Sequence, residues 1–374
     1  SENVILRKLT DFLFGIKKDI SIFALSSRQF ALIIPEKYNT KEIAEKIKER
    51  FENSFAFDKM HLTVKLAARI CCIQNTRQIN SMNDLFNIID YSMGKNKKNK
   101  ETCIIEVSPE VLDKQKREFN ISLALSNAIA RKSFQVYYQP VYNAKNNRFI
   151  GLEALVRLKD SNLGMISPEE FISLAEKDGS IIAIGEIVLE KVCKFVEQYH
   201  PEDFGIKSVN INLSTIQCMQ ENSIYKLTSI TNDYRIPKGF INFEITEQTG
   251  ENILNFENII AECNKKGINF TLDNYGAGHC SQCNLLNYNY SSVKIDKSRI
   301  WNCELDEKCQ ISLKHTVSML TELGMTVIAQ GVESQAQNDL LCELGCENMQ
   351  GFYFAKPLAQ DDIMDLIRNK NTSL

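Results

Sequence analysis

Polar side chains stand at the ends of several short apolar segments in the second half of the sequence. Segments such as "INFEITE" and "TVIAQGVE" end in residues that bind cations or move protons. A single residue of this kind has a simple explanation, because charged residues often mark where a strand reaches water. Seven segment ends that carry carboxylates, amides and one lysine indicate a functional site instead, since packing alone does not require them. These residues are Glu153, Asn212, Glu244 with Glu247, Asp273 with Asn274, Lys294 with Asp296, Gln330 with Glu333, and Gln350.

The side-chain types define the chemistry that such a cluster supports. Carboxylate and amide oxygens without histidine or cysteine suit hard divalent cations, namely Mg²⁺, Mn²⁺ or Ca²⁺. A divalent cation would serve a phosphate substrate by neutralising its charge and activating a water molecule. Lys294 adds a positive charge for a phosphate oxygen or for orienting that water. Arg157 shares a strand face with Glu153, where it would clamp a phosphate or a purine edge.

The segments that carry these residues predict a (β/α)₈ barrel over residues 133–374, because eight strand candidates alternate with helical patterns in about 240 residues. In such a barrel the carboxyl ends of the strands form one face, where the site is expected. The first two candidates are joined only by "NAKNNR", which is too short for a crossover helix, so we expect this pair to be antiparallel. The candidates are "FQVYYQPV", "FIGLEALVRL", "SVNINLS", "INFEITE", "NFTLDNYG", "SVKIDKS", "TVIAQGVE" and "NMQGFYFAKP".

Residues 1–107 predict a smaller α/β domain, and residues 108–132 predict a helix that connects it to the barrel. "DISIFAL" and "RQFALIIP" predict a hairpin, and "HLTVKLAARICCI" predicts a further strand. The segment starts on a helix, where a doubly wound α/β domain has an opening strand, so we expect a partial domain.

The composition indicates what class of protein this is and which partners it excludes. The 374 residues, with 44% hydrophobic and 24% charged side chains, are typical of a soluble globular protein. A net charge of −3 predicts no nucleic-acid polymer as a partner. Twelve cysteines without framework spacing predict reduced thiols in a cytoplasmic protein. His279 with Cys280 and Cys283 suggests a metal knuckle, but a zinc site needs about four ligands, so we interpret the pair as ordinary thiols.

The motifs resemble those of the EAL domain family, barrel phosphodiesterases that linearise cyclic di-GMP, a bacterial second messenger. The resemblance covers residues 118–370. The first half resembles the back portion of a GGDEF (diguanylate cyclase) domain, which commonly precedes an EAL domain. "GLEALVRL" carries the Glu-Ala-Leu signature, and "VNINLS", "FEITE", "LDNYGAG", "VKID", "GVES" and "QGFYFAKPL" follow in the family's order and spacing.

The resemblance implies a role for each of these positions. It implies that Glu247 braces the loop after the Asp273 strand, and that Lys294 lies near the attacking water. It also implies a cofactor, Mg²⁺ or Mn²⁺, and a homodimer formed through the barrel. The implied metal ligands are Glu153, Asn212, Glu244 and Asp273, and the implied dinucleotide contacts are Gln139, Glu153, Leu155, Arg157, Asp296, Glu333, Gln350 and Pro357.

Three departures from the EAL family pattern, and one from the GGDEF pattern, fall at functional positions. Asn274 stands where the family has a second aspartate, and Gln330 replaces the glutamate assigned to the second metal or the water. The loop "GHCSQCNLL" departs from the usual aromatic-Ser-Ser-Leu pattern. In the first half, "SSRQF" (26–30) replaces Gly-Gly-Asp-Glu-Phe and so removes the glycines and carboxylates that hold phosphate and magnesium. We therefore expect no cyclase activity.

The sequence thus predicts a catalytically degenerate EAL domain that binds cyclic di-GMP with one divalent ion, hydrolyses it little or not at all, and signals to a protein partner. Neither Asn274 nor Gln330 is anionic or a useful base near neutral pH. Two alternatives stay open. One is a slow metal-dependent phosphodiesterase, since Lys294 and the first-metal ligands are retained. The other is a protein-interaction module that no longer binds nucleotide, as the altered loop suggests.

Overall fold

The computed structural model describes residues 2–26, 28–57, 62–74, 79, 81–95, 101–220, 223–246, 256–277, 285–286, 288–304 and 306–372. The chain divides into two compact units, Ser1–Asn120 and Ile121–Leu374. The division falls inside the helix that was predicted to connect the two domains.

The first unit is a small α/β domain with its own apolar core. One face of its amphipathic second helix supplies Ile43, Ile47 and Phe51 to this core, which also contains Leu13 and Phe55. Its elements are α1 (Glu2–Ile16), β1 (Ser21–Ser26), β2 (Gln29–Ile33), α2 (Thr40–Glu52), β3 (Phe55–Phe57), β4 (Leu62–Val64), β5 (Arg69–Cys72), α3 (Met82–Lys95) and β6 (Cys103–Glu106), followed by the start of α4 (Pro109–Arg131).

The predicted hairpin of the first unit is confirmed, since β1 and β2 pair antiparallel. Within the "SSRQF" segment, Ser26 of β1 faces Gln29 of β2, and Ser27 lies outside the described residues. Residues 61–73 were predicted as one strand, and this was wrong. The chain changes partner within that segment, because β4 pairs antiparallel with β3 whereas β5 pairs parallel with β6.

The second unit is the predicted eight-stranded barrel surrounded by helices. Each main strand predicted from the sequence is present in the described chain. The elements after α4 are β7 (Gln135–Asn143), β8 (Arg148–Asp160), β9 (Gly164–Ile166), α5 (Pro168–Asp178), α6 (Ile181–Tyr199), β10 (Ser208–Asn212), α7 (Thr215–Met219), α8 (Ser223–Asn232), β11 (Ile241–Thr246), α9 (Phe256–Lys265), β12 (Asn269–Tyr275), β13 (Ser292–Ile295), α10 (Lys297–Cys303), α11 (Glu307–Glu322), β14 (Thr326–Gln330), α12 (Gln335–Glu343), β15 (Asn348–Gln350) and α13 (Gln360–Thr372).

The barrel closes in the strand order β8, β10, β11, β12, β13, β14, β15 and β7, with β7 pairing back onto β8. β7 pairs antiparallel with β8, as the short "NAKNNR" connection predicted, and also antiparallel with β15, which was not predicted. The remaining barrel pairs are parallel. The short strand β9 was not predicted. It pairs antiparallel with the last residues of β8, beyond the barrel.

The final barrel strand is shorter than predicted. "NMQGFYFAKP" was expected to be one strand, yet β15 ends at Gln350. A side chain at Gly351 would collide with the backbone of Val332, because the two backbones approach each other closely at this point. The Val332 amide donates to Gln350 O and the Tyr353 amide donates to Val332 O, which turns the chain. This turn brings Phe352 to the carboxyl ends of β14 and β15.

Apolar and polar residues alternate along the barrel strands. Val209 and Phe243 belong to the apolar core together with side chains of the surrounding helices. The alternating residues Asn210, Asn242 and Thr271 are buried inside the barrel, where they form hydrogen bonds to one another. The interior is therefore polar, which prepares it to hold charged groups at the carboxyl ends of the strands. No helix in the described part of the chain is long and apolar enough to cross a bilayer.

The buried side-chain amide of Asn371 connects the last helix, α13, to the barrel by hydrogen bonds. Asn371 accepts a hydrogen bond from the Phe149 amide at 2.9 Å and donates to Phe149 O at 2.8 Å and to Phe204 O at 2.7 Å. We expect Asn371→Ala to lower the free energy of unfolding by about 2–4 kcal/mol, because three backbone groups lose their partner. Urea denaturation measures this loss.

The matched control is Asp362→Asn on the exposed face of the same helix, with an expected change within about 0.5 kcal/mol. Equal effects of the two substitutions would contradict the anchoring role of Asn371.

Candidate active site

A buried ion pair lies at the carboxyl ends of the barrel strands. Lys294 is 0% exposed, and its Nζ lies 2.6 Å from Glu153 Oε2 and 2.6 Å from Glu244 Oε1. Glu153 also accepts hydrogen bonds from Asn212 Nδ2 at 2.9 Å and from Gln350 Nε2 at 2.7 Å. Five of the residues predicted from the strand ends are thus joined directly in one cluster.

The strand register explains why these residues meet. Asn212 at the end of β10 lies beside Glu244 of β11, and Glu153 of β8 lies beside Asn210 of β10. Parallel strands in such register bring their polar residues to one layer of the barrel. Asn210 was not predicted as part of the site. Its Nδ2 donates to Glu244 Oε1 at 2.8 Å from the layer below and holds that carboxylate in place.

Burial and charge act differently on the three ionisable groups. Burial raises the pKa of Glu244 to about 8, and the nearby carboxylate of Glu153 adds to this shift. Burial would also raise the pKa of Glu153, but the Lys294 ammonium and its amide donors hold that pKa below its usual value. Burial lowers the pKa of Lys294, but the surrounding carboxylates outweigh it and leave the pKa raised. Lys294 and Glu153 are therefore both charged at neutral pH.

The two residues that depart from the family pattern both contact Asp273. Gln330 Nε2 donates to Asp273 Oδ1 at 2.9 Å, and Asn274 Nδ2 donates to Asp273 Oδ2 at 3.0 Å. Burial raises the pKa of Asp273, while the Lys294 ammonium and the hydrogen bonds from the Asn274 backbone amide and the Gln330 side chain act in the opposite direction. The amides thus serve as hydrogen-bond donors in the positions where the resemblance implies carboxylates.

A pocket of about 200 Å³ opens beside this cluster. Sequence reasoning had named five of its nine residues and missed Lys297, Trp301, Gly351 and Phe352. Trp301 is 39% exposed and Phe352 is 56% exposed, and the Lys297 ammonium lies 5.2 Å from the centre of the Trp301 ring. The one signal available was that Trp301 is the sole tryptophan of the chain and stands five residues after Asp296, at the polar end of a strand. The pocket is lined by Gln139, Glu153, Lys297, Trp301, Gln330, Glu333, Gln350, Gly351 and Phe352.

The other predicted ligand contacts are not among the residues that line this pocket. Arg157 lies over the Tyr137 ring, 5.5 Å from its centre, and donates to Val156 O. Asp296 caps helix α10 by accepting a hydrogen bond from the Ser298 amide at 2.9 Å. Leu155 and Pro357 are both half-buried. Glu247, the His279–Cys283 segment and most of the loop "GHCSQCNLL" lie outside the described residues.

The donor types fit a divalent cation, but the side chains do not form a ready-made cage. No group of three or more His, Cys, Asp or Glu within the described ranges is arranged to hold a metal ion. The Lys294 ammonium lies between Glu153 and Glu244, where a cation would compete with it. In favour of a cation, Glu244 Oε2 is buried without a hydrogen-bond partner. Of the four ligands that the resemblance implies, Glu153, Asn212 and Glu244 would hold the cation, which would supply charge neutralisation for a phosphate. Both oxygens of Asp273 already accept hydrogen bonds from amides.

Comparisons with known proteins agree with the barrel and its motifs. The family model for the EAL domain matches residues 122–357. The signalling protein YkoW of Bacillus subtilis is 28% identical over 326 residues, which are 87% of this chain and 40% of YkoW. MucR of Pseudomonas aeruginosa, a bifunctional diguanylate cyclase/cyclic di-GMP phosphodiesterase, is 25% identical over 355 residues, 94% of this chain and 51% of MucR. The chain thus spans about half the length of these relatives, or less.

A solved structure extends the comparison to three dimensions. The PaMucR phosphodiesterase in its c-di-GMP complex has a TM-score of 0.61 and 27% sequence identity, covering 65% of this chain and 99% of that one. EAL phosphodiesterases are generally dependent on divalent metal.

Replacing Lys294 tests whether the buried ion pair organises the site. Lys294→Met keeps most of the side-chain volume but leaves the charged Glu153 carboxylate without its cation and Glu244 without its ammonium partner. We expect the free energy of unfolding in EDTA to fall by about 3–5 kcal/mol, because a buried charge that loses its partner is strongly destabilising. Chemical denaturation followed by circular dichroism measures this change.

Lys297→Met, three residues further along, is the matched control and is expected to change stability by less than about 1 kcal/mol. A Lys294→Met protein as stable as this control would show that the carboxylates do not depend on Lys294.

Proposed function

We propose that this chain, which belongs to the EAL domain family, is a receptor for cyclic di-GMP that hydrolyses the dinucleotide slowly or not at all. The observation that carries the proposal is the contrast within one site. The cluster of Lys294, Glu153 and Glu244 is complete, whereas Gln330 presents an amide N–H to Asp273 where the resemblance implies a catalytic glutamate.

The pocket supports binding of a purine dinucleotide. Aromatic rings offer stacking surfaces for bases, and Trp301 and Phe352 are both exposed at the pocket wall. The ammonium group of Lys297 supplies a positive charge for a phosphate. The similar PaMucR phosphodiesterase was solved as a c-di-GMP complex, and this supports the same ligand class here.

Loss of the base supports weak hydrolysis. A glutamine does not accept a proton usefully near neutral pH, and loss of a general base costs about 10²–10⁴ in rate. The retained carboxylates are expected to hold one divalent ion, Mg²⁺ or Mn²⁺, in the Glu153–Glu244 part of the site.

A slow phosphodiesterase is the second candidate, and one observation favours it. Glu244 Oε2 is buried and has no hydrogen-bond partner, so it is available to a cation that would bind the phosphate. Lys294 also retains the position that the resemblance places near the attacking water.

The remaining expectations stay predictions. The interaction-module alternative depends on a loop of which only residues 285–286 are described. The GGDEF character of the first unit, its loss of cyclase activity, the homodimer, the protein partner and the cytoplasmic location are likewise proposals. The length of the match to MucR supports the first of them.

Trp301 is the only tryptophan in the chain, so its fluorescence reports directly on the pocket. We expect cyclic di-GMP, added in the presence of Mg²⁺, to produce a saturable change in this fluorescence. Lys297→Ala should weaken the apparent affinity by about tenfold because a charge that faces the phosphate is removed. Lys314→Ala, on the exposed surface of α11, is the matched control and should bind like the native protein. Unchanged fluorescence and a flat calorimetric trace at millimolar ligand would refute the receptor function.

Chromatography of the nucleotide separates the receptor from the slow enzyme. We expect the native protein to return cyclic di-GMP unchanged, and the double variant Gln330→Glu/Asn274→Asp to form the linear dinucleotide at least about 10²-fold faster in Mn²⁺. Glu153→Ala sets the background. Linear product from the native protein above this background would establish the slow phosphodiesterase, and a double variant that binds without turnover would show that hydrolysis was lost for another reason.

A further inference from the structure

We propose that the side-chain amides of Gln330 and Asn274 form a fixed substitute for a cation at Asp273, so that this side of the site is complete without a divalent ion. Gln330 and Asn274 together form the Asp273 clamp. The inference deepens the proposed function and rests on it for the identity of the site. It assigns the two substitutions a positive structural role in addition to the loss of a base.

Both carboxylate oxygens of Asp273 already have a donor. Gln330 Nε2 lies 2.9 Å from Oδ1, and Asn274 Nδ2 lies 3.0 Å from Oδ2. Asp273 is 8% exposed, and a buried carboxylate needs either hydrogen-bond donors or a cation. Glu244 is different, because its Oε2 is buried without a partner. Glu244 therefore has a buried oxygen that is available to a cation, whereas both oxygens of Asp273 already accept hydrogen bonds.

The backbone positions both residues of the Asp273 clamp. Asn274 has φ 55°, a left-handed conformation that asparagine and aspartate adopt more readily than other side chains. The register of β12 with β13 shifts between Leu272 and Tyr275, and Asn274 lies in this irregular stretch, from which its side chain reaches its own neighbour Asp273. Gln330 is fixed by its pairing with Gln350 across β14 and β15.

Charge explains why amides suit these two positions. Carboxylates of the same shape at 274 and 330 would lie within hydrogen-bond distance of Asp273 and would have no proton to donate. Three carboxylates that close together cannot all ionise unless a cation lies between them. As amides, the same side chains leave a single negative charge at Asp273 and stabilise it directly.

The clamp is tested by melting temperature in EDTA and in Mn²⁺, without any nucleotide, so a failure of dinucleotide binding does not affect the result. We expect Gln330→Glu and Asn274→Asp each to melt roughly 2–8 °C below the native protein in EDTA. Mn²⁺ should raise the melting temperature of each variant by more than it raises that of the native protein. A general packing defect would lower stability without this selective rescue.

Gln360→Glu, at the exposed start of α13, is the matched control because it adds the same charge away from the site. It should melt within about 2 °C of the native protein and respond equally to Mn²⁺. If Gln330→Glu does not fold, Asn274→Asp carries the test alone, since aspartate accepts the same backbone conformation.

Metal stoichiometry provides an independent measurement. Equilibrium dialysis with Mn²⁺ should give no more than one ion per native chain and two per chain of the double variant Gln330→Glu/Asn274→Asp. Two ions on the native protein, or single variants as stable as the native protein in EDTA, would overturn the proposal.

Discussion

The buried ion pair of Lys294 with Glu153 and Glu244 is the interaction on which the rest of the site depends. An ammonium group that is 0% exposed is tolerated only when carboxylates surround it at hydrogen-bond distance, here 2.6 Å on each side. The closed barrel supplies these partners because neighbouring strands hold their polar residues in one layer. The polar interior below, where Asn210 donates to Glu244, prevents the carboxylate from turning away. The fold and the site are therefore consequences of the same strand register.

Charge balance then explains how the site differs between its two sides. Around Lys294, the side chains of Glu153 and Glu244 face one ammonium group, and Glu244 keeps one oxygen without a partner. Around Asp273, two amides satisfy one carboxylate. The first side has unused capacity for a positive charge and the second has none. A single divalent ion held near Glu244, together with a dinucleotide in the neighbouring pocket, is the occupancy that this distribution favours.

The sequence predicted the features that depend on pattern, and it missed those that depend on tertiary contacts. Eight strand candidates that alternate with helical patterns predicted the barrel, and the short connection after β7 predicted its antiparallel pairing with β8. The early end of β15 was not predictable, because it results from the approach of Gly351 to Val332, a residue distant in sequence. Asp296 shows a related limit, since the same residue type serves equally as a ligand contact or as a helix cap. The direction of the amides at Asp273 likewise appears only when three side chains are placed together.

The pocket residues Trp301 and Lys297 contact the backbone that directly follows Gln330, and these contacts link ligand binding to Gln330. The Trp301 indole donates to Gly331 O at 2.9 Å, and Gly331 directly follows Gln330 in the chain. A side chain at Gly331 would collide with Cβ of Lys297, so helix α10 packs against this backbone without a gap. A base stacked on Trp301 and a phosphate at Lys297 would therefore bear on the same backbone that positions the Asp273 clamp. In such an arrangement occupancy of the pocket is transmitted to the strand ends without cleavage of the ligand, which is the property that a receptor needs.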